Sequence, residues 1–120
     1  MDQHKKTNDE LATLGELKSF IKHFVEARDW HKDHNPKGLS MSIAIEAAEL
    51  MEKFQFVNEA ESFLVAQKYK EQVAHELIDI FVYMLNFANA ANIDITKYFY
   101  EKMAINSKRF PVEKHTSSCC

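Results

Sequence analysis

Four carboxylates stand out by where they sit. Glu46 and Glu49 are the only charged residues in the stretch 39–51, and Glu76 and Asp79 repeat the three-residue spacing at the mouth of a second apolar run. Residues three apart on a helix project to one side, so each pair presents two acids together. If the two helices pack antiparallel, all four converge. Two like charges ~4 Å apart repel by about 4 kcal/mol at an effective dielectric of ~20. Burying unpaired carboxylates is costly, so four of them in a core call for something positive among them.

An oxygen-only ligand set suits a hard cation, with Mg²⁺ the expected occupant and Mn²⁺ its substitute. Zinc takes His or Cys, and a ferritin-like di-iron site wants Glu-x-x-His on two helices, whereas the later residue of each pair here is Glu49 or Asp79. His31 and His34 stand three apart without an evident third ligand. The bland alternative for each pair is a wet edge of an amphipathic helix. It weakens when the same pattern appears twice in apolar surroundings.

The elements that must hold these acids are helical. Two glycines and two prolines leave little material for hairpins, and alternating strand patterns are absent. Leu14, Leu17, Ile21, Phe24 and Val25 follow one helix face. Two capping boxes compete for its start, Thr7-x-x-Glu10 and Thr13-x-x-Glu16, and Thr13 is preferred because the earlier start buries Gly15 in a helix interior. The spacing predicts a first helix ending near Trp30, an ordered loop over 31–38 and a second helix over 39–56. A polar connection follows over 58–66, then a third helix over 67–91 with Asn92 as a left-handed stop. Asp94 or Thr96 caps a fourth helix reaching about residue 110, before Pro111. This is an all-α, four-helix bundle-like domain over 13–111, with polar tails at 1–12 and 112–120. In LIDIFVYMLNFANAA the apolar residues go round most of the helix, which predicts a homo-oligomer, dimer or tetramer, to cover the remainder.

Bulk properties narrow the class further. A chain of 120 residues with 46% hydrophobic and 28% charged residues reads as one ordinary globular domain. A net charge of −3 without a basic block gives no pull toward nucleic acid. No apolar run reaches the ~18 residues that span a bilayer, so no membrane partner is expected. The opening MDQHKKTNDE lacks the apolar core of a signal peptide, and cytoplasm is the expected location. Cys119 and Cys120, adjacent in a polar tail, provide no intrachain framework. No Gly-x4-Gly-Lys-[Ser/Thr] phosphate loop is present.

With Glu46, Glu49, Glu76 and Asp79 in hand, the chain resembles the MazG-like all-α nucleoside triphosphate pyrophosphohydrolases, whose hallmark is Glu-x-x-Glu on one helix and Glu-x-x-Asp on the next. Within that family it is most similar to the dCTP pyrophosphatase branch, through RDWHKDHNPKGL (28–39), EAAELMEKFQF (46–56), ELIDIFVYML (76–85) and KMAINSKRFP (102–111). The resemblance covers roughly residues 14–111. It implies hydrolysis of a nucleoside triphosphate between the α and β phosphates, giving monophosphate and pyrophosphate in nucleotide-pool housecleaning. The four acids would hold Mg²⁺, and one of the glutamates, Glu49 or Glu46, would help deprotonate the attacking water, spacing alone not separating base from ligand.

The resemblance also implies substrate contacts. Lys102, Asn106 and Arg109 share a helix face and would meet the phosphates, with an exposed basic stripe as the alternative. Trp30 would contact the base, with His34 and Lys37 near the ligand in the adjoining loop. Phe56 would form the pocket's other wall, Tyr83 would pack on the sugar, and Asn86 would bond a base edge or a neighbouring helix. Trp30 and Tyr83 read equally well as core aromatics. WHKDH replaces the more usual WEQFH, Gly38 stands where asparagine is common, Phe110 replaces a tyrosine, and Ile21 occupies the place of a first-helix histidine. These departures spare the carboxylates and fall mainly on the base end of the site. Two alternatives stand beside dCTP: the same chemistry on dUTP, modified or broad NTPs, and a non-catalytic helical module that binds metal or nucleotide.

Overall fold

The computed structural model describes residues 7–114, and among them the chain is all-α with no strand. Five helices follow in order: α1 (Leu14–Ala27), α2 (Pro36–Glu52), α3 (Glu59–Lys68), α4 (Lys70–Ala90) and α5 (Ile95–Arg109). Short 3-10 turns occupy Trp30–Lys32 and Val112–Lys114. The expected tails are thus partly structured, since Asn8 also caps a turn through bonds from the Glu10 and Leu11 amides. Residues 1–6 and 115–120, with Cys119 and Cys120, lie outside the described residues.

Capping decides most boundaries. Thr13 Oγ1 accepts from the Glu16 amide at 3.1 Å and so starts α1, as the second capping box predicts. Asp94, rather than Thr96, caps α5 by accepting from the Lys97 amide at 3.0 Å. Asn92 closes α4 with φ 56°, and the Ile93 amide returns to the Ala88 carbonyl at 2.8 Å, a Schellman closure.

Three expectations are corrected. The loop expected over 31–38 ends earlier, because Asn35 caps α2 by accepting from the Gly38 amide at 2.9 Å. Pro36 then takes the first helical position, where its missing N–H costs nothing. The connection expected over 58–66 folds as α3, making five helices rather than four. Asn58 Oδ1 accepts from the Glu61 amide at 2.8 Å and its Nδ2 donates to the Glu61 carboxylate at 2.7 Å, a reciprocal cap made by the asparagine side chain. Finally, Tyr69, at φ −111° and ψ 37°, breaks the expected helix 67–91, so that α4 begins at Lys70.

α4 is the centre of the packing, with α2 lying along it and α1 next. The buried apolar residues are Val25 of α1, Leu39 of α2, and Leu85 and Ala88 of α4. Two reciprocal bonds tie α1 to the end of α4: Lys18 Nζ donates to the Ile93 carbonyl at 2.7 Å, and Asn89 Nδ2 donates to the Lys18 carbonyl at 3.0 Å. By contrast, α5 makes no extensive contact with any other helix. The radius of gyration is 17.2 Å, against about 14 Å for a compact domain of this length. No helix among the described residues is long and apolar enough to cross a membrane.

Candidate active site

The pairing of α2 with α4 brings three of the four acids together. Glu46, Glu49 and Glu76 each offer a carboxylate oxygen within 4.8 Å of the others. Glu46 and Glu76 are half-buried, and Glu49 is exposed. Asp79, one turn beyond Glu76, stands outside that cluster but lines the same cavity as Glu46. The structure therefore joins the two pairs across the helix interface, with Asp79 at the edge.

The electrostatics are those of a site short of positive charge. One oxygen each of Glu46 and Glu76 is shielded from solvent and has no hydrogen-bond partner. A proton shared with Glu49 pushes the Glu46 pKa from 4.5 up to about 7, helped by desolvation and then by the charges of Glu49, Asp79 and Glu76. No lysine or arginine is ion-paired to these acids among the described residues. A donor set of carboxylate oxygens, two of them orphaned, fits a hard divalent cation.

Beside the acids lies a cavity of about 340 Å³ between α1, α2 and α4. Phe20 and Phe24 form one side and Tyr83 and Val82 another, with Trp30, His34 and Asn86 completing the wall. Trp30 is no core plug. It is half exposed, held edge-on to Phe24 at 5.9 Å between ring centroids. Arg28 caps the same Phe24 ring, its guanidinium 3.5 Å from the centroid, and donates to the Phe24 carbonyl at 2.9 Å. Asp29, at φ 62°, makes the sharp turn that returns Trp30 over the cavity.

Six residues singled out in the sequence thus line one cavity: Trp30, His34, Glu46, Asp79, Tyr83 and Asn86. Lys37, Phe56, Lys102, Asn106 and Arg109 are not among its lining. Phe56 sits in the turn after α2 and is 91% exposed. Lys102 and Arg109 are exposed on α5, where Arg109 covers the Phe110 ring. Phe20 and Phe24 are wall residues that sequence reasoning missed, Phe24 because its helical spacing assigned it to the core. The available signal was an aromatic pair one turn apart, just ahead of Trp30.

Comparison with known proteins agrees with this architecture. Residues 41–118 match the MazG-like family, well over half of the chain. The rat dCTP pyrophosphatase 1 (Rattus norvegicus) is 32% identical over 110 residues, covering 90% of this chain and 65% of that protein. Its human counterpart (Homo sapiens) is 30% identical over 108 residues, covering 88% of this chain and 64% of that protein. The chain thus spans somewhat less than two thirds of the length of these curated relatives. A crystal structure of a pyrophosphatase from Archaeoglobus fulgidus superposes with a TM-score of 0.78 at 35% identity, covering 82% of this chain and 92% of that one. The carboxylate pairs on facing helices, the all-α fold and the match over 41–118 together place this chain in the MazG-like family.

Proposed function

We propose that this protein hydrolyses a deoxynucleoside triphosphate between its α and β phosphates, releasing the monophosphate and pyrophosphate, with dCTP the first substrate to test. The observation that carries the reading is the convergence of Glu46, Glu49 and Glu76 beside an aromatic-walled cavity, with two buried carboxylate oxygens left unpartnered. The names of the relatives support the substrate class.

In this reading Glu46, Glu49, Glu76 and Asp79 hold Mg²⁺, with Mn²⁺ as substitute. An ion held there would supply positive charge for the phosphoryl oxygens and for activating the attacking water. Glu46 must give up its shared proton for the acids to take the cation, which couples metal affinity to pH. Glu49, the exposed member of the cluster, accepts the proton of the attacking water. A phosphorus–oxygen bond forms as the bridging one breaks, and pyrophosphate leaves. Trp30 stacks on the base, as Phe20 and Phe24 enclose it, and Tyr83 packs on the sugar, leaving no room for a 2′-hydroxyl. His34 sits at the wall between the base and the loop.

The phosphate cations come from α5 in the same reading. Lys102, Asn106 and Arg109 have no place in the cavity of their own chain, and α5 leaves Tyr98, Phe99, Tyr100 and Ile105 exposed. Exposed apolar surface of this extent suits a homo-oligomer, in which a second copy buries α5 and brings its basic face, with Lys37 and Phe56, to the site.

The test is pyrophosphate release from each common dNTP and NTP, with and without Mg²⁺. Metal-dependent monophosphate and pyrophosphate from dCTP is the expected result. Release of inorganic phosphate alone, or metal-dependent nucleotide binding without turnover, sinks the pyrophosphohydrolase reading and leaves a binding module.

A further inference from the structure

Phe24 and Trp30 wall the cavity, yet burial does not hold either of them there. Phe24 is 39% exposed and Trp30 50%. The backbone around Trp30 is pinned on both sides: the Asp29 amide donates to the Glu26 carbonyl at 3.0 Å, and the Trp30 carbonyl accepts from the Asp33 amide at 3.0 Å. What the backbone leaves open is the rotamer of each ring. An exposed side chain ordinarily changes rotamer within nanoseconds, and ordering it at the moment of binding costs affinity. A standing wall therefore needs a restraint from outside the core.

Arg28 supplies one. Its guanidinium lies 3.5 Å from the Phe24 centroid, in van der Waals contact with the ring, and Nη1 donates to the Phe24 carbonyl at 2.9 Å. One group thus grips both the backbone and the side chain of a single residue, which fixes that ring against α1. Trp30 rests edge-on to it, with ring centroids 5.9 Å apart at 69°, and the guanidinium is 5.9 Å from the Trp30 centroid. The neighbouring carboxylate is otherwise engaged, because Asp29 pairs with Lys32 at 3.1 Å. Arg28 is not among the residues lining the cavity, so its effect on a ligand there runs through Phe24 and Trp30.

A plainer role exists for a cation at this point. Arg28 ends α1, and a basic side chain bonding a last-turn carbonyl is an ordinary helix C-terminal device. Lysine performs that role too. What lysine lacks is the flat fork that lies on a ring while one of its N–H groups reaches a carbonyl.

We infer that Arg28 is the positioning residue of the aromatic wall: its guanidinium fixes Phe24, and through it Trp30, over the cavity before any ligand arrives. The inference rests on the proposed nucleotide site and says how the base end of that site is preformed.

Trp30 is the only tryptophan, so indole fluorescence of the full chain reports on this one ring. The test compares wild type with Arg28→Met and Arg28→Lys. Acrylamide quenching is read first, without ligand, and calorimetry follows with Mg²⁺ and the slowly hydrolysed α,β-imido analogue of dCTP. Both variants are expected to show steeper quenching than wild type. Both should bind the analogue about 3- to 10-fold more weakly, the scale of one cation–π contact together with one ring ordered on binding. With dCTP itself, KM should follow that loss while kcat stays within about twofold, because the wall acts in binding and leaves the acids untouched. Wild-type quenching and affinity in Arg28→Lys overturn the proposal and leave a helix-end cation. So does unchanged quenching in Arg28→Met, or steeper quenching with unchanged affinity. Should Arg28→Met lose helical circular-dichroism signal, Arg28→Lys, which keeps the helix-end charge, decides alone. Failure of wild type to bind the analogue sinks the nucleotide reading, and the ligand-free quenching then decides whether Arg28 holds Trp30.

Discussion

The two ends of the cavity carry the same kind of deficit in different currencies. At one end, oxygens of Glu46 and Glu76 are shielded from water without a donor, beside further acids. At the other, Asn86 is a buried residue whose amide lines the cavity with no hydrogen-bond partner among the described residues. Unpartnered charge asks for a counterion, because Coulomb energy in a poorly solvated site is large and non-directional. An unpartnered neutral amide asks for a flat neutral edge, because its need is directional and small. A ligand with charge at one end and an amide-like edge at the other satisfies both. A nucleotide with its metal has that form.

The largest expected effect breaks the charged end alone. Glu49→Gln should lower kcat/KM for pyrophosphate release by roughly 100-fold or more, the usual contribution of a positioned base, and leave the helical circular-dichroism signal and assembly unchanged. A Glu49→Gln enzyme with near-wild-type turnover would assign the base elsewhere in the cluster. Glu76→Gln tests the metal rather than the proton. Its apparent Mg²⁺ affinity should fall by about 10- to 100-fold, the scale seen when a metal site is disturbed, with rate partly recovered at high Mg²⁺.

A smaller effect is expected at the base end. Trp30→Ala removes one stacking face, worth ~1–3 kcal/mol per base. It should raise KM by about 5- to 100-fold with little change in the Mg²⁺ requirement. If Trp30→Ala instead alters metal dependence, the two ends are not separable and the comparison fails.

The smallest effect is on stability against pH. In the metal-free fold Glu46 titrates near 7, against 4.5 for an ordinary carboxyl. Between those values the folded chain holds a proton that the unfolded chain has released. Stability from this group is therefore fully present below about 4.5 and lost as pH rises through about 7. The thermal midpoint without metal should decline from about pH 5 to about pH 8. Glu46→Gln should flatten that slope, and Mg²⁺ should restore the midpoint more at the higher pH. A metal-free midpoint that climbs over the same window would contradict the shared proton.

Much of this was legible in the residues. Thr13, Asp94 and Asn92 mark helix boundaries because a cap is a local bond between neighbours in sequence. The carboxylate pairs were visible for the same reason, since a three-residue spacing on a helix is itself a statement about space. The helix 59–68 was not, because its apolar residues form no clear stripe and its Asn58–Glu61 cap replaces the more familiar serine or threonine. Phe24 was hidden by ambiguity: the same helical spacing serves a core residue and a cavity wall.

What the sequence determined by itself was the local and the periodic: an all-α chain, its principal caps, and two pairs of acids each committed to one helix face. What only the tertiary structure decided was which faces meet. Packing of α2 on α4 joined Glu46 and Glu49 to Glu76 and left Asp79 at the edge. The turn at Asp29 set Trp30 over a cavity, and the placement of α1 made Phe20 and Phe24 its wall. Asn86 and Asn89 are the same residue type one turn apart, yet Asn89 bridges two helices while Asn86 faces a cavity with no hydrogen-bond partner among the described residues. Their difference lies in what stands opposite each, and that depends on interhelical geometry that residue spacing along one helix does not contain.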